Sequence, residues 1–329
     1  MARIRRLKIV GEEAFYHITS RTVGQEFLLH DLEKQKLVDI IKRYSALFFV
    51  KIIGYCIMSN HIHLLIKMET GESYSDEAVH QRLKKFYAHD YSELRFSNLS
   101  QIREKLGDIS QYVKGIKQTF SWWYNRNHGR WGYFWCDRFK SVLIQSGESL
   151  LNCLGYIDLN PVRAGIVERP EDYRWCSLGY RVQQGNRDGF LSFSGLFEFE
   201  EHEESEEREK YNQGKVKGKG KNQYQELLRK YRAFVYEIGR EIEKPGQARI
   251  DENLLKTEKD RNFELPKAEI FLYRCRYFSD SLVLGSRAFI QSAYNHFSGI
   301  LFYKKERKEH ATGISKDIFS LRRLNSLRC

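Results

Sequence analysis

Two histidines one residue apart, His61 and His63, stand near the head of the apolar run Ser59–Ile66. On a strand, alternate side chains share a face, which puts these imidazoles on one side with Cα atoms roughly 6–7 Å apart. That separation lets both converge on one divalent ion. Two half-buried histidines with purely structural roles show the same pattern, so the pair by itself leaves both readings open. Further along, Asn152, Tyr156 and Asn160 recur every fourth residue beside an apolar stripe of Leu150, Leu154 and Ile157. On a helix such positions lie one above the other, so Tyr156 and Asn160 can face the same point in space. If that helix packs across the strand, the constellation is His, His, Asn and Tyr. Imidazole suits borderline metals and an amide oxygen suits harder ones, so the mixed set accepts Mg2+ or Mn2+. A metal so held acts as a Lewis acid on a phosphoryl oxygen. Tyrosine is a poor nucleophile at its free pKa of about 10, and a nearby metal and positive charge make its attack feasible. The plain alternative for Tyr156 is a core-edge tyrosine, in a chain that has 20 of them.

The elements that must position these groups can be read from periodicity. Ala14–Ser20 alternates as a short strand, and Asp31–Phe48 carries apolar residues at helical spacing. Residues 49–57 and 61–68, rich in β-branched and aliphatic side chains, form two strands joined at the turn-prone Ser59-Asn60. Tyr112, Ile116, Phe120 and Trp123 mark a second helix over Ile109–Asn127, and Trp131–Ile144 reads as a loop entering a strand. Ser146–Ser149 opens a third helix, which Asn160-Pro161 should close, because proline disfavours helical geometry in its predecessor. Strand, helix, strand, strand, helix, strand, helix predicts an α+β fold: a ferredoxin-like split βαβ antiparallel sheet with helices on one face.

The expected organisation is a catalytic domain over 1–180, a charged linker over 181–222 and a small, mainly helical region over 223–329. The polar stretch 69–108 reads as a partly helical insertion. Eight glutamates between Glu198 and Lys210, then Lys215, Lys217, Lys219 and Lys221 alternating with small residues, give the linker its character. A net charge of +12 suggests an anionic partner, although solvated surface lysines produce the same figure. The six cysteines form no CxxC pair and read as reduced thiols of a cytoplasmic protein, which excludes a disulfide scaffold or zinc-finger class. No apolar run reaches membrane-spanning length, and the basic N-terminus lacks the apolar stretch of a signal peptide.

Four stretches together resemble the single-tyrosine HUH transposases, specifically the REP-associated tyrosine transposases: Phe15–Arg21, Gly54–Ile66, Asn125–Ile144 and Tyr156–Ser177. His-x-His is a weak signal alone. Followed by a strand ending FKSVLI and a helix end reading Y-x-x-x-N-P-V-R-A-G, it becomes specific. The resemblance implies that His61 and His63 are the histidine metal ligands, Asn160 the third ligand and Tyr156 the nucleophile. The implied reaction is metal-dependent cleavage and strand transfer of single-stranded or hairpin DNA, such as REP-like palindromes, through a 5′-phosphotyrosine. A domesticated hairpin-binding regulator without transposition activity is the alternative, and a metal-dependent RNA or phosphodiester hydrolase a third reading that leaves Tyr156 unused. Candidate DNA contacts are Arg21, Lys114, Lys117, Arg126, Arg138, Lys140 and Arg163, each also readable as a solvated charge. Arg138 and Lys140 flank Phe139 at a spacing that sends both to one strand face. Trp131, in a Gly-flanked loop, is the best base-stacking candidate among tryptophans otherwise read as packing residues. His17 reads as structural rather than as a fourth ligand. The expected setting is the cytoplasm, at the nucleoid when bound to DNA, with no membrane partner and a homodimer left open. Residues 276–290 resemble a C-terminal stretch of longer family members, with no chemical role assigned.

Overall fold

The computed structural model describes residues 6–88, 98–196, 219–239, 277–297, 309–312 and 317–321. In chain order the main elements are β1 (Ala14–Arg21), α1 (Asp31–Leu47), β2 (Val50–Ile57), β3 (His61–Met68), α2 (Asp76–Tyr87), α3 (Leu99–Leu106), α4 (Ile109–Asn127) and β4 (Lys140–Ile144). They continue with α5 (Glu148–Asp158), the single turn α6 (Asn160–Arg163), α7 (Ser177–Gln183), α8 (Lys219–Gly239), the turn α9 (Tyr277–Asp280), β5 (Val283–Gly285), α10 (Arg287–His296), β6 (His310–Ala311) and β7 (Phe319–Ser320).

The sheet order is β2-β3-β1-β4-β5-β7-β6. Its first four strands have the expected ferredoxin-like arrangement and pair antiparallel. β4 then pairs parallel with β5, so the complete seven-stranded sheet is mixed. Register decides what each face carries. Thr19 lies opposite both His63 on β3 and Lys140 on β4, and Arg21 lies opposite His61. His17, Thr19, His61, His63 and Leu65 therefore share one face, while Tyr16, Ile18, Leu64 and Ile66 point to the other. Both faces are buried, which is why β3 reads as a nearly continuous apolar run.

α1 packs on β2 and against α4, and this helical layer covers the Tyr16–Ile18 side. Each helix is started by a side chain that satisfies its first amides: the Asp108 carboxylate accepts from Ser110 and Gln111 at the head of α4, and Glu33 accepts from the His30 amide at the head of α1. The histidine side is covered too. α5 lies across β2 with Leu150, Leu154 and Ile157 fully buried, so helices occupy both faces and not the one face expected from the sequence. The close approach of α5 to β2 uses the absence of a side chain at Gly54, where a Cβ would stand 2.0 Å from Leu154 Cδ1.

α5 is buried on its outer side as well. Gly155 meets Phe234 and Ile238 of α8. Asp158, fully buried, accepts from the Ser177 hydroxyl at 2.7 Å, the Leu178 amide at 3.0 Å and the Tyr231 hydroxyl at 2.5 Å. Three helices, α5, α7 and α8, thus meet on one carboxylate. Burial raises its pKa, against the opposing pull of those donors.

Residues 181–196, expected to be linker, are part of this packing. Arg181 is buried beneath Phe193 and donates to the carbonyls of Ile53 and Ser192, and Leu191 sits in the core. The glutamate-rich block within the expected linker begins at Glu198, and 197–218 lies outside the described residues. The C-terminal region, expected to be mainly helical, also supplies β5, β6 and β7 to the sheet. The stretch 69–108 contains α2 and α3, which pack on α1 and α4.

Candidate active site

Tyr156 projects from the last turn of α5 over the histidine face of the sheet. Its ring centroid lies 5.6 Å from that of His63 and 6.0 Å from that of His17, both edge-on. The His61 and His63 rings are 5.0 Å apart and nearly perpendicular. The Arg163 guanidinium, one turn beyond the end of α5, stacks 4.2 Å above the Tyr156 ring. Phe278 of α9 stacks on the same ring at 5.5 Å. Tyr156 is left only 8% exposed.

The electrostatics favour neutral imidazoles. Burial, then the positive charges of Arg21 and Arg163, push the His61 pKa down to about 4. His63 lies well below its ordinary value from burial, then His61, His17 and the same two arginines. Burial likewise takes His17 down to about 4. Neutral imidazole is the metal-binding form.

Hydrogen bonding also selects the tautomer. Asn60 donates its amide NH2 to the Gln25 carbonyl, which leaves its amide oxygen 2.6 Å from His61 Nδ1. An oxygen of that kind only accepts, so His61 Nδ1 carries the hydrogen and Nε2 the lone pair. His63 Nδ1 is 2.9 Å from His17 Nε2. The His61 Nε2 lone pair and the His63 ring nitrogen not engaged by His17 lie on one strand face, a pair of donors that fits a divalent ion with oxygen ligands completing the sphere. Asn160, expected from the sequence as a third ligand, begins the turn that follows the tyrosine helix. Its amide NH2 donates to the carbonyls of Tyr156 and Ile157, and its oxygen accepts from Arg163 at 2.8 Å. The second lone pair of that oxygen remains chemically available to a cation. Among the described residues no group of three His, Cys, Asp or Glu side chains could hold a metal, so an amide, water or substrate oxygen is required.

The remaining expected contacts separate into two groups. Arg21 and Arg163 flank the histidine pair, and exposed Lys140 continues the His63–Thr19 row across β4. Arg138 precedes β4, so strand alternation with Lys140 does not apply to it. Lys114, Lys117 and Arg126 lie on α4, whose contacts run to α1, α3 and residues 134–137. Lys117 donates to the Asp137 carbonyl and packs over Trp135, and burial, then Arg6, takes its pKa down to about 8. Arg126 stacks over Trp122. Asn152, on the same sequence stripe as Tyr156, turns back to donate to the Glu148 carbonyl. Trp131 and Tyr133 are exposed at 92% and 88%. Sequence reasoning left two neighbours of Tyr156 without a part in the site: His17, whose contact depends on β1–β3 register, and Phe278, which arrives from the far end of the chain.

A ferredoxin-like sheet with a His-x-His strand beneath a helix-borne tyrosine is thus the class of molecule defined by fold and candidate site. Residues 12–107 match the family described as Transposase IS200 like. The match contains His17, His61 and His63 and ends before Tyr156. A Haemophilus influenzae protein provisionally named a REP-associated tyrosine transposase is 26% identical over 159 residues, 46% of this chain and 76% of that protein. A solved structure of a REP-associated tyrosine transposase bound to a REP hairpin aligns with 56% of this chain and 87% of its own, at 18% identity and a TM-score of 0.39. Over the matched residues the chain is transposase-like, with distant similarity to a REP-associated tyrosine transposase. No helix among the described residues is long and apolar enough to cross a membrane.

Proposed function

We propose that this protein is a DNA endonuclease and strand transferase that uses Tyr156 as nucleophile on single-stranded or hairpin DNA. The observation that carries this reading is the Tyr156 ring set against His63, with the Arg163 guanidinium stacked on the same ring. Arg21 and Arg163 give the pocket the positive charge that a backbone phosphate seeks. Lys140 extends that charge along the sheet, and exposed Trp131 offers a face on which an unpaired base can stack. The hairpin preference comes from the REP association of the relative, and 1–180 is the part we assign to catalysis.

In the reaction, the Tyr156 Oη–phosphorus bond forms as the bond from phosphorus to the 3′ oxygen breaks. The phenol proton is lost to solvent, and the departing 3′ oxygen takes one up. The products are a 5′-phosphotyrosine and a free 3′-OH. Attack by the 3′-OH of a second strand reverses the exchange and releases the tyrosine, so the phosphodiester count is conserved. His61 and His63 through Nε2, with Asn160 through its amide oxygen, are the residues that would hold Mg2+ or Mn2+, which supplies Lewis-acid polarisation of the phosphate. Arg163 orients Asn160 and the tyrosine ring together, because it contacts both.

The burial of Tyr156 under Phe278 favours a second reading, a hairpin-binding regulator with a closed site. Denaturing gels separate the two. Hairpin oligonucleotides with single-stranded flanks, incubated with Mg2+ or Mn2+, should give a covalent protein–DNA adduct that Tyr156→Phe abolishes without loss of fold. Cleavage that persists in Tyr156→Phe without an adduct refutes the tyrosine mechanism. Tight hairpin binding without cleavage across a panel of hairpins supports the regulator.

A further inference from the structure

His17 stands behind the candidate ligand His63, and the backbone of Phe278 stands behind His17. His17 Nδ1 lies 2.5 Å from the Phe278 carbonyl oxygen, and His17 Nε2 lies 2.9 Å from His63 Nδ1. The two imidazoles are within 18° of parallel, so the three groups form a single file. Direction along that file is fixed from one end. A carbonyl oxygen only accepts, so His17 Nδ1 carries a hydrogen. Both rings are buried and, among the described residues, no carboxylate hydrogen-bonds to either, so a second hydrogen on either ring would leave a buried positive charge without an ionised partner. His17 Nε2 is therefore an acceptor, His63 Nδ1 must donate to it, and the His63 lone pair is left on Nε2.

We propose that His17 is a positioning residue that holds His63 in the tautomer able to bind a cation through Nε2, and that the C-terminal segment fixes His17 in turn through the Phe278 carbonyl. This rests on the reading of His63 as a metal ligand given above. His61 reaches the same tautomer by a local route through its neighbour Asn60, whereas His63 depends on a residue 46 positions away and, beyond it, on one 261 positions from His17. The long connection has a structural support. α9 packs on β4 and β1, and β5 pairs with β4, so the C-terminal segment is attached to the sheet beside the histidine row. The segment that resembles an extension of longer family members thereby gains a chemical task. Groups one layer out from a metal commonly set ligand orientation, and their removal typically costs about 10–100-fold in affinity.

The test uses the full chain without DNA. Long-range 1H–15N spectra of the metal-free protein report which imidazole nitrogen of His63 carries the hydrogen, and Mn2+ affinity is read from the paramagnetic resonance of free Mn2+. Wild type should show His63 protonated at Nδ1. His17→Phe fills the same space without an acceptor and should shift His63 toward the Nε2–H form, with Mn2+ affinity falling about 10–100-fold. His17→Gln places an amide oxygen near the position of Nε2 and should retain both properties. If His17→Phe fails to fold, the wild-type and His17→Gln spectra still decide the matter. An Nε2–H tautomer in wild type, or an unchanged tautomer and Mn2+ affinity in folded His17→Phe, overturns the proposal. Wild type with the expected tautomer but no Mn2+ binding would instead overturn the metal reading of the site and leave the hydrogen-bond file in place.

Discussion

Gly54→Ala is the sharpest single perturbation of the tyrosine helix. A Cβ at this position would stand 2.0 Å from Leu154 Cδ1 and 2.9 Å from Ser177 Oγ. Carbon atoms in good contact are about 3.5–4.0 Å apart, so Leu154 must retreat by roughly 1.5–2 Å. Leu154 is fully buried and α8 lies against the outer side of α5, so its retreat presses on packed neighbours. The strain is then shared between an unfavourable leucine rotamer and an outward shift of α5. Overpacking of this kind costs about 1–3 kcal/mol, which urea denaturation resolves. Tyr156 is two residues along the same helix, and a misplacement of about 1 Å near reacting atoms costs on the order of 100-fold in rate. Single-turnover adduct formation on a hairpin oligonucleotide should slow by about that factor. The double variant Gly54→Ala/Leu154→Ala identifies the cause. Leu154→Ala alone removes buried methyl groups at about 2–5 kcal/mol, and with the new Cβ filling part of that space the two costs should fall short of their sum by about 1 kcal/mol or more. Strictly additive costs, or Gly54→Ala forming adduct at the wild-type rate with unchanged stability, would refute the packing argument.

What could be read before the fold was known followed from locality. The i, i+2 spacing of His61 and His63 and the i, i+4 spacing of Tyr156 and Asn160 are fixed by strand and helix periods, so each pair was legible by itself. Their joining required the packing of α5 on β2, which depends on Gly54 and was supplied in advance only by family resemblance. Asn152 had the same spacing as Tyr156 and was misleading, because nothing in a period shows that an asparagine will turn back onto its own helix. His17 was visible as a residue of a strand, but the β1–β3 register that faces it toward His63 is a non-local property. Phe278 was harder still. It enters on one turn of helix beside β5, a strand of three residues, and β6 and β7 have only two each, too short for any periodic signal. Lys117 illustrates the converse. A lysine at an apparently exposed helix position is indistinguishable by sequence from one committed to a backbone carbonyl and a tryptophan ring.

Two further outcomes test how the halves of the chain cooperate and how the site responds to acid. Tyr231→Phe removes the α8 donor to buried Asp158 and should lower stability by about 1–3 kcal/mol in one cooperative urea transition that includes the sheet signal. An unchanged transition would mean that α8 folds independently of the tyrosine helix. Acid should weaken the fold through the histidines. His17 and His61 both have folded pKa values of about 4 against 6.5 as the ordinary value, so between those limits the unfolded chain binds more protons than the native one. Their contribution is therefore present above pH 6.5 and is lost as pH falls toward 4. Going from pH 7 to 5 should remove about 2 kcal/mol for fully buried His17 and less for partly exposed His61. His17→Gln should flatten this dependence, because the amide keeps the hydrogen bond and cannot take up a proton in that range. A stability that is flat between pH 7 and 5 in the wild type, or a dependence equally steep in His17→Gln, would show that the native state does not hold His17 neutral.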